Sequence, residues 1–179
     1  MLIVCEGAKT EPGYFRSFPI TSLEVSVVGV GANTLTVVEE AVTRRDRAQE
    51  PFDQVWAVFD TDSFPNERIH AALALARREG VRVAWSNEAF ELWFLLHFEY
   101  CESALSRTTY ADRISRYIGR PYVKNAPDMY DLLLRVQPAG IRNAGRLLAI
   151  HPQPIDPAKA APATTVHTLV AELNQHLRR

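Results

Sequence analysis

Acidic residues close two apolar runs in this sequence. LIVCEG, residues 2–7, leads an apolar stretch into Glu6 and then Gly7. VWAVFDTD, residues 55–62, does the same into Asp60, with Asp62 two positions further on. Ligands of open parallel sheets bind beyond the carboxyl ends of the strands. If the two runs are neighbouring strands, Glu6, Asp60 and Asp62 share a small volume. Like charges that close are unfavourable unless protonated or neutralised. A hard divalent cation resolves the conflict, and oxygen ligands suit Mg²⁺, with Mn²⁺ the alternative. Gly7 allows a tight turn beside such a site. Thr61 leaves Asp60 and Asp62 on one side of an extended chain. A D-x-D alone also ends strands and opens helices. The weight therefore rests on the Glu-Gly and the D-x-D occurring together.

A further acid lies in SNEAFELWFLLHFEY, residues 86–100. Between Ala89 and Phe98 only Glu91 and His97 break the apolar run. The segment reads as a buried helix with Asn87 as its cap. A buried Glu91 needs a partner: a metal, a water on it, or a Tyr, Trp or Arg. His97, two turns on, is either a structural hydrogen-bonding group or a participant. Glu11, in the first turn of the next predicted helix, suits the helix dipole and could supply a carboxylate to a second metal. Lys9 and Lys124 are two of only three lysines in the chain. Each could offset a phosphate or lie solvated on the surface.

The elements that must position these groups follow from periodicity. Residues 2–6, 23–29, 54–60 and 81–86 read as strands. Helices read over 34–47, capped by Asn33, and over SFPNERIHAALALARREG, residues 63–80, closed by Gly80. Thr10 is expected to cap the helix before them. Strands alternating with helices imply a parallel sheet covered on both faces. Residues 1–100 form this α/β core, and 101–179 read as three or four helices packed on it rather than an independent domain. TYAD at 109–112 and NAPD at 125–128 fit capping boxes. HPQPIDPAKAAPAT, 151–164, is a connector, and the last helix, about 165–177, buries one apolar stripe.

The chain has 179 residues, 47% of them hydrophobic, and a net charge of −1. Residues 1–100 carry a net −6 and 101–179 a net +5. An acidic half suits metal, and a basic half could follow a phosphate backbone. Arg113, Arg116, Arg120, Lys124, Arg142 and Arg146 are expected to form one positive surface. Two cysteines make no disulfide framework, MLIVCEG is expected to carry no leader, and no apolar run is long enough to span a membrane. A cytoplasmic location is expected.

IVCEGAKTEPGYF, VWAVFDTD and AWSNEAFELWFLLHFE together resemble the RloB-like family of bacterial proteins. The resemblance extends through YVKNAPDMYDLL and ATTVHTLVAEL. It implies a Toprim-like (Rossmann-like) fold, mostly a parallel four-stranded sheet with flanking helices and a helical C-terminal extension. It implies that Glu6 and the Asp60–Asp62 pair form the acidic centre, with Glu91 as a further acid of nuclease-type sites. It also implies a link to restriction and phage-defence loci, and an AAA-type ATPase partner. Two departures stand out. Glu88 occupies a position that is more usually proline, and APATT replaces a more usual Asn-Pro-Ser-Thr.

With that resemblance, the expected activity is Mg²⁺-dependent hydrolysis of phosphodiesters in DNA or RNA. Glu6, Asp60, Asp62 and Glu91 are the catalytic and metal-binding acids, Glu11 is an added metal ligand, and Lys124 or Lys9 offsets phosphate charge. The alternative is a non-catalytic metal-binding partner of a defence ATPase. A receiver-like phosphotransfer domain fits poorly, because it needs neither Glu6–Gly7 nor a buried Glu91.

Overall fold

The computed structural model describes residues 1–21, 24–31, 33–61 and 65–177. Four parallel strands, β1 (Leu2–Cys5), β2 (Ser26–Gly29), β3 (Val55–Asp60) and β4 (Arg82–Ser86), form one sheet in the order β2-β1-β3-β4. Leu2 to Cys5 pair with Ser26 to Gly29 on one side and with Val55 to Val58 on the other. β1 and β3 are thus adjacent, as the shared acidic site requires.

Side chains alternate across the sheet, as period-2 strands dictate. Leu2, Val4, Val55, Ala57 and Phe59 face one core, covered by α2 (Thr34–Arg47) and α3 (Asn66–Glu79). Ile3, Cys5, Trp56 and Val58 face the other. That second core is larger. It takes in α1 (Thr10–Arg16), α4 (Glu91–Leu95), α5 (Arg107–Ile118), α6 (Met129–Leu134), α7 (Gln137–Ala149) and α8 (Val166–Gln175). This is a Toprim-like, Rossmann-like arrangement, with the C-terminal helices continuing the hydrophobic layer beneath the site. Cys5 and Cys101 are both free and buried. Among the described residues, no helix is long and apolar enough to cross a membrane.

Helix ends follow the expected chemistry in part. Asn33 accepts from Thr36 N at 3.2 Å and caps α2. Gly80, at φ 67°, closes α3. Three expected caps fall elsewhere. Ser106, not Thr109, caps α5, because its Oγ already accepts from Thr109 N at 3.2 Å. Asn125 sits at φ 70°, a left-handed turn, and α6 begins only at Met129. Thr10 is the first residue of α1 rather than its cap, and its hydroxyl instead donates to Asn125 Oδ1 at 2.9 Å. β2 begins at Ser26 instead of 23; Leu23 lies outside the described residues.

Both sheet edges are covered, which blunts their unpaired backbone groups. Arg16 donates to Val27 O at 2.7 Å on the β2 side. On the β4 side the connector replaces a strand. Thr165 N donates to Trp85 O, Thr165 Oγ1 accepts from Trp85 N, and Asn87 N donates to Ala163 O. The APATT segment therefore anchors the end of β4, from which the Glu91 segment departs.

Candidate functional site

Glu6 leaves β1 with its backbone still in the sheet. Its N–H donates to Val58 O at 2.8 Å, and its carbonyl accepts from Gly31 N at 2.8 Å. The Glu6 carboxylate accepts from Asp60 N at 3.0 Å. The two strand-end acids are thus locked at one sheet edge by a backbone bond. Asp60 is 9% exposed, and its Oδ2 lies 3.4 Å from Arg107 Nη2 at the start of α5. Asp62 lies outside the described residues.

The turn after Glu6 is possible only for small residues. A Cβ on Gly29 would lie 2.5 Å from Gly7 O and 2.8 Å from Ala8 Cα. Those atoms are backbone and cannot swing aside. Gly29→Ala is expected to cost about 1–3 kcal/mol. Urea midpoints would measure it, with Gly145→Ala inside α7 as a control that should not destabilise, since nothing lies within 4 Å of a Cβ there and alanine favours a helix. A Cβ on Gly7 would fall 1.9 Å from Glu11 Oε2. The Glu11 carboxylate therefore occupies the space that Gly7 leaves empty.

Glu11 and Glu91 are both buried, at 8% and 4% exposure. Burial pushes the Glu11 carboxyl above the usual carboxylate range; Glu91 adds to the rise, while Lys124 and Arg107 oppose it. Those four groups are therefore electrostatic neighbours. Glu91 Oε1 accepts from Tyr122 OH at 3.1 Å. Burial and the two carboxylates together raise the Tyr122 phenol far above its usual range.

The expected ten-residue helix around Glu91 is shorter than its apolar run. α4 spans Glu91–Leu95, and Asn87 is not its cap. Ala89 N instead donates to Asn87 O at 2.8 Å around Glu88, at φ 63°. This is the rarer, strained kind of γ-turn. Proline, fixed near φ of about −65°, could not adopt it.

The loop after α5 is tied down at three points. Tyr122 N donates to Ser115 Oγ at 2.8 Å, Tyr122 OH reaches Glu91, and Asn125 receives Thr10. Lys124 sits between the last two ties and lines the cleft. Glu6, Glu11, Asp60 and Glu91 together with Lys9, Arg107 and Lys124 surround one cleft of about 320 Å³. Arg107 and Asn125 were not expected at this cleft from the sequence.

His97 is not among the residues that line this cleft. It is 2% exposed, with Nδ1 2.8 Å from Trp93 O. Its role is structural. Three of the six residues expected to form a positive surface have partners away from the cleft. Arg113 donates to Glu99 at 2.7 Å, Arg120 pairs with Asp128, and the Arg146 guanidinium lies 3.9 Å over the Tyr100 ring.

Among the described residues, no group of three or more His, Cys, Asp or Glu is placed to hold a metal ion. The donors at the cleft are nevertheless all carboxylate oxygens, the kind that hard divalent cations take.

A model of the RloB-like protein family matches residues 1–173. The chain belongs to that family. No match appears among curated proteins or among solved structures. The RloB-like match runs through the whole α/β core and nearly all of α8, so the sheet edge with its acids and the helices beneath it lie within one family unit.

Proposed function

We propose that this RloB-like protein is a Mg²⁺-dependent phosphodiesterase acting on DNA or RNA, in a restriction-linked or phage-defence setting with an ATPase partner. The observation that carries the reading is the convergence of Glu6, Glu11, Asp60 and Glu91 with three cations on one cleft at the carboxyl edge of the sheet. Asp60 and Glu6, joined through the Asp60 amide, would hold the ion, with Asp62, Glu91 and Glu11 as further carboxylates. The oxygen-only donors and the space over Gly7 that admits the Glu11 carboxylate support the fit. The chemistry such an ion supplies is Lewis-acid activation of water and charge offset at the phosphoryl oxygens.

The chain's own residues supply position and charge. The Asp60 amide orients Glu6, Tyr122 orients Glu91, and Arg107 fixes Asp60. Arg107 lines the same cleft, where its guanidinium would also offset phosphate charge. Lys124 and Lys9 offset charge that develops on the phosphate.

The second reading is a metal-binding partner of the ATPase without turnover. Incubating the protein with labelled single- and double-stranded DNA and RNA in Mg²⁺, Mn²⁺ or EDTA, with and without the ATPase, tests the two. Metal-dependent fragments are expected, and intact substrate in every arm would overturn the nuclease reading.

A further inference from the structure

A second cavity, of about 180 Å³, opens beside the acidic cleft. The two share Thr10 and Asn125. Tyr122 joins them as well: its ring lines the cavity while its hydroxyl holds Glu91 of the cleft. We propose that this cavity receives a nucleobase of the strand whose phosphate enters the acidic cleft. The inference rests on the nucleic-acid reading above and names the part of the substrate recognised next to the phosphate.

Size, walls and rim all point to a flat heterocycle. The volume equals that of about six liquid waters, enough for one base and too little for a protein segment. Tyr14, Phe94, Tyr122, Tyr130 and Met129 line it. Unstacked bases are held by aromatic side chains in this manner. Thr10 donates to Asn125 Oδ1 and Ser17 to Gly13 O, which leaves the Asn125 amide N–H groups as donors and the two hydroxyl oxygens as acceptors at the same cavity, suited to a base edge.

Gly13 supplies an independent observation. It lies inside α1 and lines the cavity. A Cβ there would meet nothing within 4 Å, so packing does not require glycine. Its φ is not in the left-handed region, so backbone conformation does not require it either. Glycine is also a poor helix former. Gly13 is exposed, so what its missing side chain provides is an open mouth to the cavity.

Gly13→Leu therefore plugs the cavity while favouring the helix. Ala126→Leu fills the same space from the loop that carries Lys124. The probes are a fluorescent single-stranded oligonucleotide and a strand of equal length carrying only abasic sites. Each is made in deoxyribose and ribose form, and binding is read by anisotropy in Ca²⁺ and in EDTA. Thermal melts should show both variants folded. Each variant is expected to bind the base-containing strand about tenfold more weakly than wild type, the order that one base–aromatic stack supplies. The abasic strand should bind all three proteins equally, and the ribose and deoxyribose arms show which nucleic acid is preferred. Equal affinity of all three proteins for the base-containing strand, or no binding by wild type, overturns the proposal. Cavity-dependent binding without turnover in Mg²⁺ would remove the nuclease reading and leave the base site standing.

Discussion

Asp60→Asn is expected to lower metal-dependent cleavage by about a hundredfold or more, because electrostatic terms at metal sites are worth several kcal/mol. The substitution keeps size and shape but removes a charge and a strong ligand. The backbone bond from Asp60 N to Glu6 survives it. Mutual repulsion of the acids would by itself predict a firmer fold in the mutant. The structure changes that expectation, because Arg107 already offsets Asp60 at 3.4 Å. The Arg107 side chain is 41% exposed, so losing the pair should move stability by no more than about 1 kcal/mol. Paired cleavage rates and thermal melts separate the two effects. Equal metal-dependent rates for mutant and wild type would remove Asp60 from the mechanism.

A second large effect concerns acid stability and arises away from the cleft. Burial lowers the His97 pKa from 6.5 to about 4. Nδ1 must carry its proton, because its partner is the Trp93 carbonyl at 2.8 Å. Nε2 then has no hydrogen-bond partner among the described residues, and the ring is held neutral. The unfolded chain binds a proton at this residue below pH 6.5 and the folded chain does not. The stability that His97 contributes is therefore full above pH 6.5 and is lost as the pH falls to about 4. The loss amounts to about 3 kcal/mol over that window. Burial lowers the His167 pKa as well, so it acts in the same direction. His97→Asn keeps a donor near Nδ1 but cannot titrate. Its unfolding free energy should fall less steeply between pH 6.5 and 4 than that of wild type. Parallel pH profiles for the two proteins would contradict the assignment.

The sheet was legible because each strand is a dense apolar run and two-sided burial leaves few alternatives. Glu6 and Asp60 were legible as strand-end acids, and their meeting required only that β1 and β3 pair. Glu91 was legible because an acid inside FELWFLLHF must be buried. Its partner was not, since Tyr122 lies 31 positions away in a segment without strong periodicity. Arg107 reaches Asp60 across 47 positions, and Thr10 reaches Asn125 across 115. Such contacts are set by how the C-terminal helices pack on the sheet, which no local pattern encodes. The capping boxes misled for a related reason. The pattern marks residues able to cap, but Ser106 satisfied Thr109 N first, and Asn125 was drawn into a left-handed turn by its tie to α1.

The claim on which the functional reading depends is that these acids hold a divalent cation together. Anomalous diffraction from crystals soaked in Mn²⁺ tests it most directly. The account predicts a peak in the cleft at coordination distance, about 2 Å, from carboxylate oxygens of Asp60 and at least one of Glu6, Glu91 and Glu11. Arg107 should be displaced from Asp60 in the same map. A cleft without a peak at saturating Mn²⁺, with Arg107 still on Asp60, would contradict it.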